Sequence, residues 1–113
     1  MSEVKVNVDV INEERGVTGI RTPQKVLELR EGDLVEFKFA PSNREEFNED
    51  DVCFIEQDLD DEGSIPSNKI PFNDFVKEKG KYKKYQVTKP VQIFITTESD
   101  KAPIDSLEIR IEE

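Results

Sequence analysis

Carboxylates are the residues here with the greatest capacity for chemistry. Between Arg44 and Lys69 the chain carries Glu45, Glu46, Glu49, Asp50, Asp51, Glu56, Asp58, Asp60, Asp61 and Glu62, with no lysine or arginine among them. Their mutual repulsion needs relief from solvent, ions or a partner. Electrostatic docking is the first chemistry that fits. Glu45, Glu46, Glu49, Asp50, Asp51, Asp58, Asp60, Asp61 and Glu62 are the expected contact residues for a basic protein surface, because dense carboxylates speed association and imitate nucleic-acid phosphates. A solvated loop that keeps a small protein soluble has the same composition.

Calcium binding is the second chemistry. Asp58, Asp60, Gly63 and Ile65 fall at the first, third, sixth and eighth positions of a loop that resembles the calcium loop of an EF-hand. Lys69 stands where the bidentate glutamate belongs, and Pro66 obstructs the helix that should follow. No metal ligand set is therefore assigned, and a calcium-stabilised module is kept as an alternative. The third chemistry is acid–base catalysis by paired carboxylates, as in glycosidases. With 26 acidic residues no spacing singles out a pair, so no catalytic residues are assigned and an enzyme is not expected.

Histidine is absent, which excludes Ser-His-Asp and Cys-His nucleophiles and imidazole metal sites. Cys53 is the single cysteine, so no internal disulfide or sulfur-ligated metal cluster can form. It reads as a small core residue. Gly16 and Gly19 are not followed by the rest of a dinucleotide or P-loop signature. No cofactor is expected.

Positive charge is gathered further along. Residues 63–89 hold seven basic against two acidic groups, and Lys77, Lys79, Lys81, Lys83, Lys84 and Lys89 surround Tyr82 and Tyr85. Cations interleaved with stacking rings occur in single-strand binders, but an exposed alternating strand gives the same composition. The net charge of −10 opposes direct nucleic-acid binding, which is not expected.

These groups must be positioned by a small number of elements. The 113 residues suit one domain, 1–113, with an acidic loop region at 41–71. Val4, Val6, Val8 and Val10 alternate with polar residues as a half-buried strand, and Asn12 to Gly16 reads as a turn. Val17 to Ile20 is a short edge segment. Lys25–Leu29 and Leu34–Phe39 flank a Gly32-Asp33 corner and predict a hairpin with Leu27, Leu29, Val35, Phe37 and Phe39 inward.

Val52 to Ile55 predicts a buried strand inside the acidic segment, and Asp58 to Pro71 a long loop. Asn73 to Lys79 has room for two helical turns with Asn73 as cap. Strands are expected from Gly80 to Val87, at Val91–Thr97, and at Leu107–Ile111. Phe47, Phe54, Phe72 and Phe75 flank the acidic loop, either to anchor a protein contact or to close the end of the core.

The expectation is all-β: an antiparallel two-sheet sandwich of about seven strands, immunoglobulin-like or cupredoxin-like, with little helix. The run from Pro23 through Gly32-Asp33 to Phe37, with Gly80-Lys81-Tyr82 near the later strands, resembles the strand grammar of cupredoxins. Their copper needs two histidines and a cysteine, and this chain has no histidine to offer. No apolar run approaches the ~20 residues of a membrane span and no secretory signal opens the chain, so no membrane role and a cytoplasmic location are expected. The functional expectation is a non-catalytic protein-binding module, an inhibitor or adaptor. One version of it blocks a nucleic-acid-binding groove.

Overall fold

The alternation that begins at Val4 folds as a strand in the computed structural model, which describes residues 2–61, 63–99 and 102–112. Among these, the strands are β1 (Glu3–Glu13), β2 (Gly16–Arg21), β3 (Val26–Leu29), β4 (Leu34–Pro41), β5 (Val52–Asp58), β6 (Ile70–Pro71), β7 (Gly80–Lys81), β8 (Lys84–Gln86), β9 (Val91–Thr97) and β10 (Asp105–Ile111). One helix, α1 (Phe72–Lys79), lies between β6 and β7, and a turn of 3-10 helix, Glu49–Asp51, precedes β5. The strands form two sheets, ordered β2-β1-β4-β8-β7 and β3-β10-β9-β5-β6.

The two-sheet all-β sandwich is as expected, but its pairing is mixed. β1 runs parallel to β4 and β10 parallel to β3, while the other neighbours are antiparallel. A parallel pair needs a crossover. After β2 the chain leaves the first sheet, contributes β3 to the second, and returns as β4, so β4 enters beside β1 in the same direction. The strand expected from Gly80 to Val87 is broken at Tyr82-Lys83 into the two-residue β7 and the three-residue β8, and the two-residue β6 is unexpected.

The predicted hairpin between 25–29 and 34–39 is an arch, because β3 and β4 belong to different sheets. Both strands still point Leu27, Leu29, Val35 and Phe37 into the core, since they face each other across it. Gly32, at φ 93°, supplies the left-handed backbone of the corner, and its N–H donates to the Val87 carbonyl at 2.7 Å. The Asp33 carboxylate accepts the Ser2 and Arg30 N–H groups, each at 2.9 Å, and fastens β1 to the corner.

Val6, Val8 and Val10 of the first sheet meet Val91, Ile93, Ile95, Leu107 and Ile109 of the second, all buried. The two sheets thus share a single apolar layer, roughly 10 Å thick in such packings. One end of this layer is closed by aromatic rings. Phe75 of α1 stacks between Phe54 (5.0 Å between centroids) and Tyr85 (5.4 Å), and Phe72 meets Phe39 edge to face at 4.8 Å. Helix α1 is therefore a plug that inserts Phe72, Phe75 and Val76 between the sheets.

Asn73 does not cap this helix. Pro71 occupies the cap position without a side-chain hydrogen bond, and the Asn73 N–H donates to the Asp50 carboxylate at 3.0 Å. An acid from the 3-10 turn thus supplies the acceptor that a capping side chain would have given. No helix among the described residues is long and apolar enough to cross a membrane.

Candidate functional site

The acidic segment is divided by β5. This strand has seven residues, so its ends lie on the order of 20 Å apart. Glu45, Glu46, Glu49, Asp50 and Asp51 precede it; Asp58, Asp60 and Asp61 lie at or beyond its far end. Glu62 falls outside the described residues. The carboxylates expected to act together are brought together only as two groups, with Glu56 between them.

The first group forms a ledge. All five carboxylates are exposed, and none belongs to an ion pair among the described residues. The backbone beneath them is held at several points. Buried Asn12 accepts the Asn43 N–H through its side-chain oxygen (3.1 Å) and donates to the Asn43 carbonyl (2.8 Å). The Asn43 side chain accepts the Glu45 N–H at 3.2 Å, and the Asn48 side chain accepts the Asp50 N–H at 3.0 Å. Phe47 is half-buried against Phe39, 5.5 Å between centroids, and Asp50 holds Asn73.

These asparagines position the ledge, and the charge pattern alone does not single them out. Asn43-x-Glu45 and Asn48-x-Asp50 are Asx turns, in which a side-chain amide mimics a backbone acceptor two residues ahead. Their spacing carries the signal. Asn12 reads as part of a turn in the sequence, whereas β1 continues through Glu13 and leaves Asn12 in the ladder with its side chain buried.

The second group is engaged internally. Asp58 pairs with Lys89 at 2.7 Å, and its hydrogen bond raises the lysine's pKa. Asp61 accepts the Gly63 N–H at 2.9 Å, and Asp60 is exposed. Gln57 donates to the Gly63 and Ser64 carbonyls, each at 3.2 Å, which ties these two residues back to β5. Among the described residues no three carboxylates or cysteines converge as a metal site would require.

Glu56 points to the seam between the sheets. Its Oε2 accepts the Tyr85 hydroxyl at 2.7 Å and its Oε1 lies 3.8 Å from Lys79 Nζ, in a polar cleft of about 330 Å³ that Glu78 and Lys89 also line. Burial first, and the neighbouring Glu56 second, push the Tyr85 hydroxyl well above the ordinary phenol range, so it stays a proton donor. The outer face of β5 holds Cys53. Its thiol is pushed up to about 11 by burial and by Glu98, its hydrogen-bond acceptor, which leaves almost no thiolate at neutral pH.

The lysines expected around Tyr82 and Tyr85 also divide. Lys84 pairs with Glu3 (2.8 Å), Lys89 with Asp58 and Lys79 loosely with Glu56. Lys77, Lys81 and Lys83 are exposed and have no ion pair among the described residues. They surround Tyr82, which is 73% exposed at the tip of the β7–β8 hairpin while Tyr85 is buried. Tyr82 and Lys83 form the turn with φ of 57° and 61°, left-handed values unusual for residues with side chains. Asn73, Val76, Lys77, Gly80, Tyr82 and Lys83 line an open cleft of about 360 Å³ between α1 and this tip.

Comparison with protein-family models, with curated proteins and with solved structures found no match. The functional reading therefore rests on the geometry.

Proposed function

We propose that the chain is a non-catalytic protein-binding module whose 45–51 ledge docks on a basic partner surface, as an inhibitor or adaptor would. The observation that carries this reading is the ledge: five exposed carboxylates without ion pairs among the described residues, on a backbone held by Asn12, Asn43, Asn48 and Phe47. Fixed charge costs less ordering on association than charge on a mobile loop. A carboxylate surface of this kind steers a basic groove toward the complex and fits a role in blocking a nucleic-acid-binding surface. Asp58, Asp60 and Asp61 belong to a separate end of the molecule and are secondary to this contact.

The test is a comparison of the wild type with a variant carrying Glu45→Gln, Glu46→Gln, Glu49→Gln and Asp51→Asn, which keeps Asp50 on Asn73 and therefore keeps the fold. A basic protein captured from the native source by the wild type should be lost by this variant, and its purified association rate should fall as salt rises. Equal capture by both chains, or an association rate indifferent to salt, removes the proposal.

A further inference from the structure

The exposed face of α1 joins two patches of opposite sign. Asn73 receives Asp50 of the ledge through its N–H and also lines the cleft beneath Tyr82. Lys77, four residues on, shares its helical face and lines the same cleft. The face thus runs from the 45–51 ledge, along Asn73 and Lys77, to the Tyr82 tip with Lys81 and Lys83.

Lys77 lies one helical turn beyond Asn73, about 6 Å along the axis. No ion pair joins the ledge to Lys77, Lys81 or Lys83 among the described residues.

We propose that this face is a self-association surface: two copies dock about a two-fold axis, with α1 of each antiparallel to the other and each ledge against the other's Lys77, Lys81 and Lys83. A face that is acidic at one end and basic at the other is self-complementary under such an axis, since every contact occurs twice. The apolar element is Tyr82, an exposed ring next to an open cleft, of the kind that anchors interfaces. The turn that presents Tyr82 uses two residues with side chains in the left-handed region, where glycine or asparagine would fit without strain. The dimer and a basic partner would compete for the same ledge, and the lysine half, which the docking reading does not use, is what tells them apart.

Overall repulsion between two copies at −10 also responds to salt, so a charge swap is the deciding measurement. One variant carries Lys77→Glu, Lys81→Glu and Lys83→Glu; the other carries Glu45→Lys, Glu46→Lys and Glu49→Lys. Both remain net negative, so neither attracts the other through its total charge. Sedimentation velocity from micromolar to millimolar protein should show a monomer–dimer equilibrium for the wild type, monomer for each variant alone, and a heterodimer when the two are mixed. Tyr82→Ala in the wild type should weaken the dimer at least tenfold.

Wild type that stays monomeric at every concentration overturns the proposal, as does a lysine-reversed variant that dimerises like the wild type. A monomeric wild type that binds a labelled oligothymidine, and loses it with Tyr82→Ala, overturns it too and assigns the tip to a single strand. The lysine-reversed variant keeps its ledge, so capture of a basic partner by it separates failure of the dimer from failure of the docking reading.

Discussion

The hydroxyl of Tyr85 in β8 donates to Oε2 of Glu56 in β5 at 2.7 Å, and so joins the two sheets by a hydrogen bond to a charged acceptor. Glu56 is only 11% exposed in its side chain, and its other oxygen has Lys79 at 3.8 Å. Removing the hydroxyl leaves a largely buried carboxylate with one loose cation. Tyr85→Phe should therefore destabilise the fold by about 1–3 kcal/mol in chemical denaturation. Glu56→Gln, which keeps an acceptor for Tyr85, should cost less; an equal or greater loss would show that Lys79 matters more than the hydroxyl.

Thr96 gives the opposite sign. Its hydroxyl is buried with no hydrogen-bond partner among the described residues, on the strand position paired with Cys53. Valine has nearly the same shape without the polar atom. Thr96→Val should stabilise the protein by about 1 kcal/mol, read as a higher denaturation midpoint at unchanged slope. A loss of stability would mean that the hydroxyl finds a partner in solution.

Period-two alternation and continuous apolar runs are local properties, so β1, β9 and β10 are legible in the alternation of Val4–Val10, Val91–Ile95 and Leu107–Ile111, and β5 in the unbroken apolar run Val52–Ile55. Pairing partners are not local. The same alternating runs around Gly32-Asp33 serve a hairpin or an arch, and only the crossing to the second sheet decides between them. The acidic run is legible as composition, and its division is implicit in the strand inside it: seven extended residues necessarily hold Asp51 and its predecessors apart from Asp60 and Asp61. The hairpin tip is hidden because Tyr82-Lys83 lacks the asparagine or glycine that marks a left-handed turn.

That turn can be relieved. Replacing Tyr82-Lys83 by Asn-Gly supplies residues suited to two positive φ values and should raise stability by about 1 kcal/mol. Thermal melting of this variant beside Tyr82→Ala separates turn strain from loss of the ring, since only the former predicts a rise. No change on Asn-Gly substitution would indicate that the ring contributes as much packing as the turn contributes strain.

Acid should find Asp33. The Ser2 N–H, followed by the Arg30 N–H, holds its carboxyl below the ordinary aspartate range. A depressed folded pKa means that the stabilisation is complete above the unfolded value of about 3.9 and disappears as pH falls through the folded one. Melting temperatures of the wild type should therefore decline below about pH 4. Asp33→Asn should be less stable at neutral pH and show a shallower decline; parallel curves would place the acid sensitivity in other carboxylates.

Strand β10 lies inside its sheet, with β3 on one side and β9 on the other. Residues 26–29 are made long before it, yet they have no sheet neighbour until residues 105–111 have emerged from the ribosome. The second sheet therefore closes only once residues 105–111 are made, and a chain stopped before residue 105 would leave two strands with open edges, ready to pair with other chains.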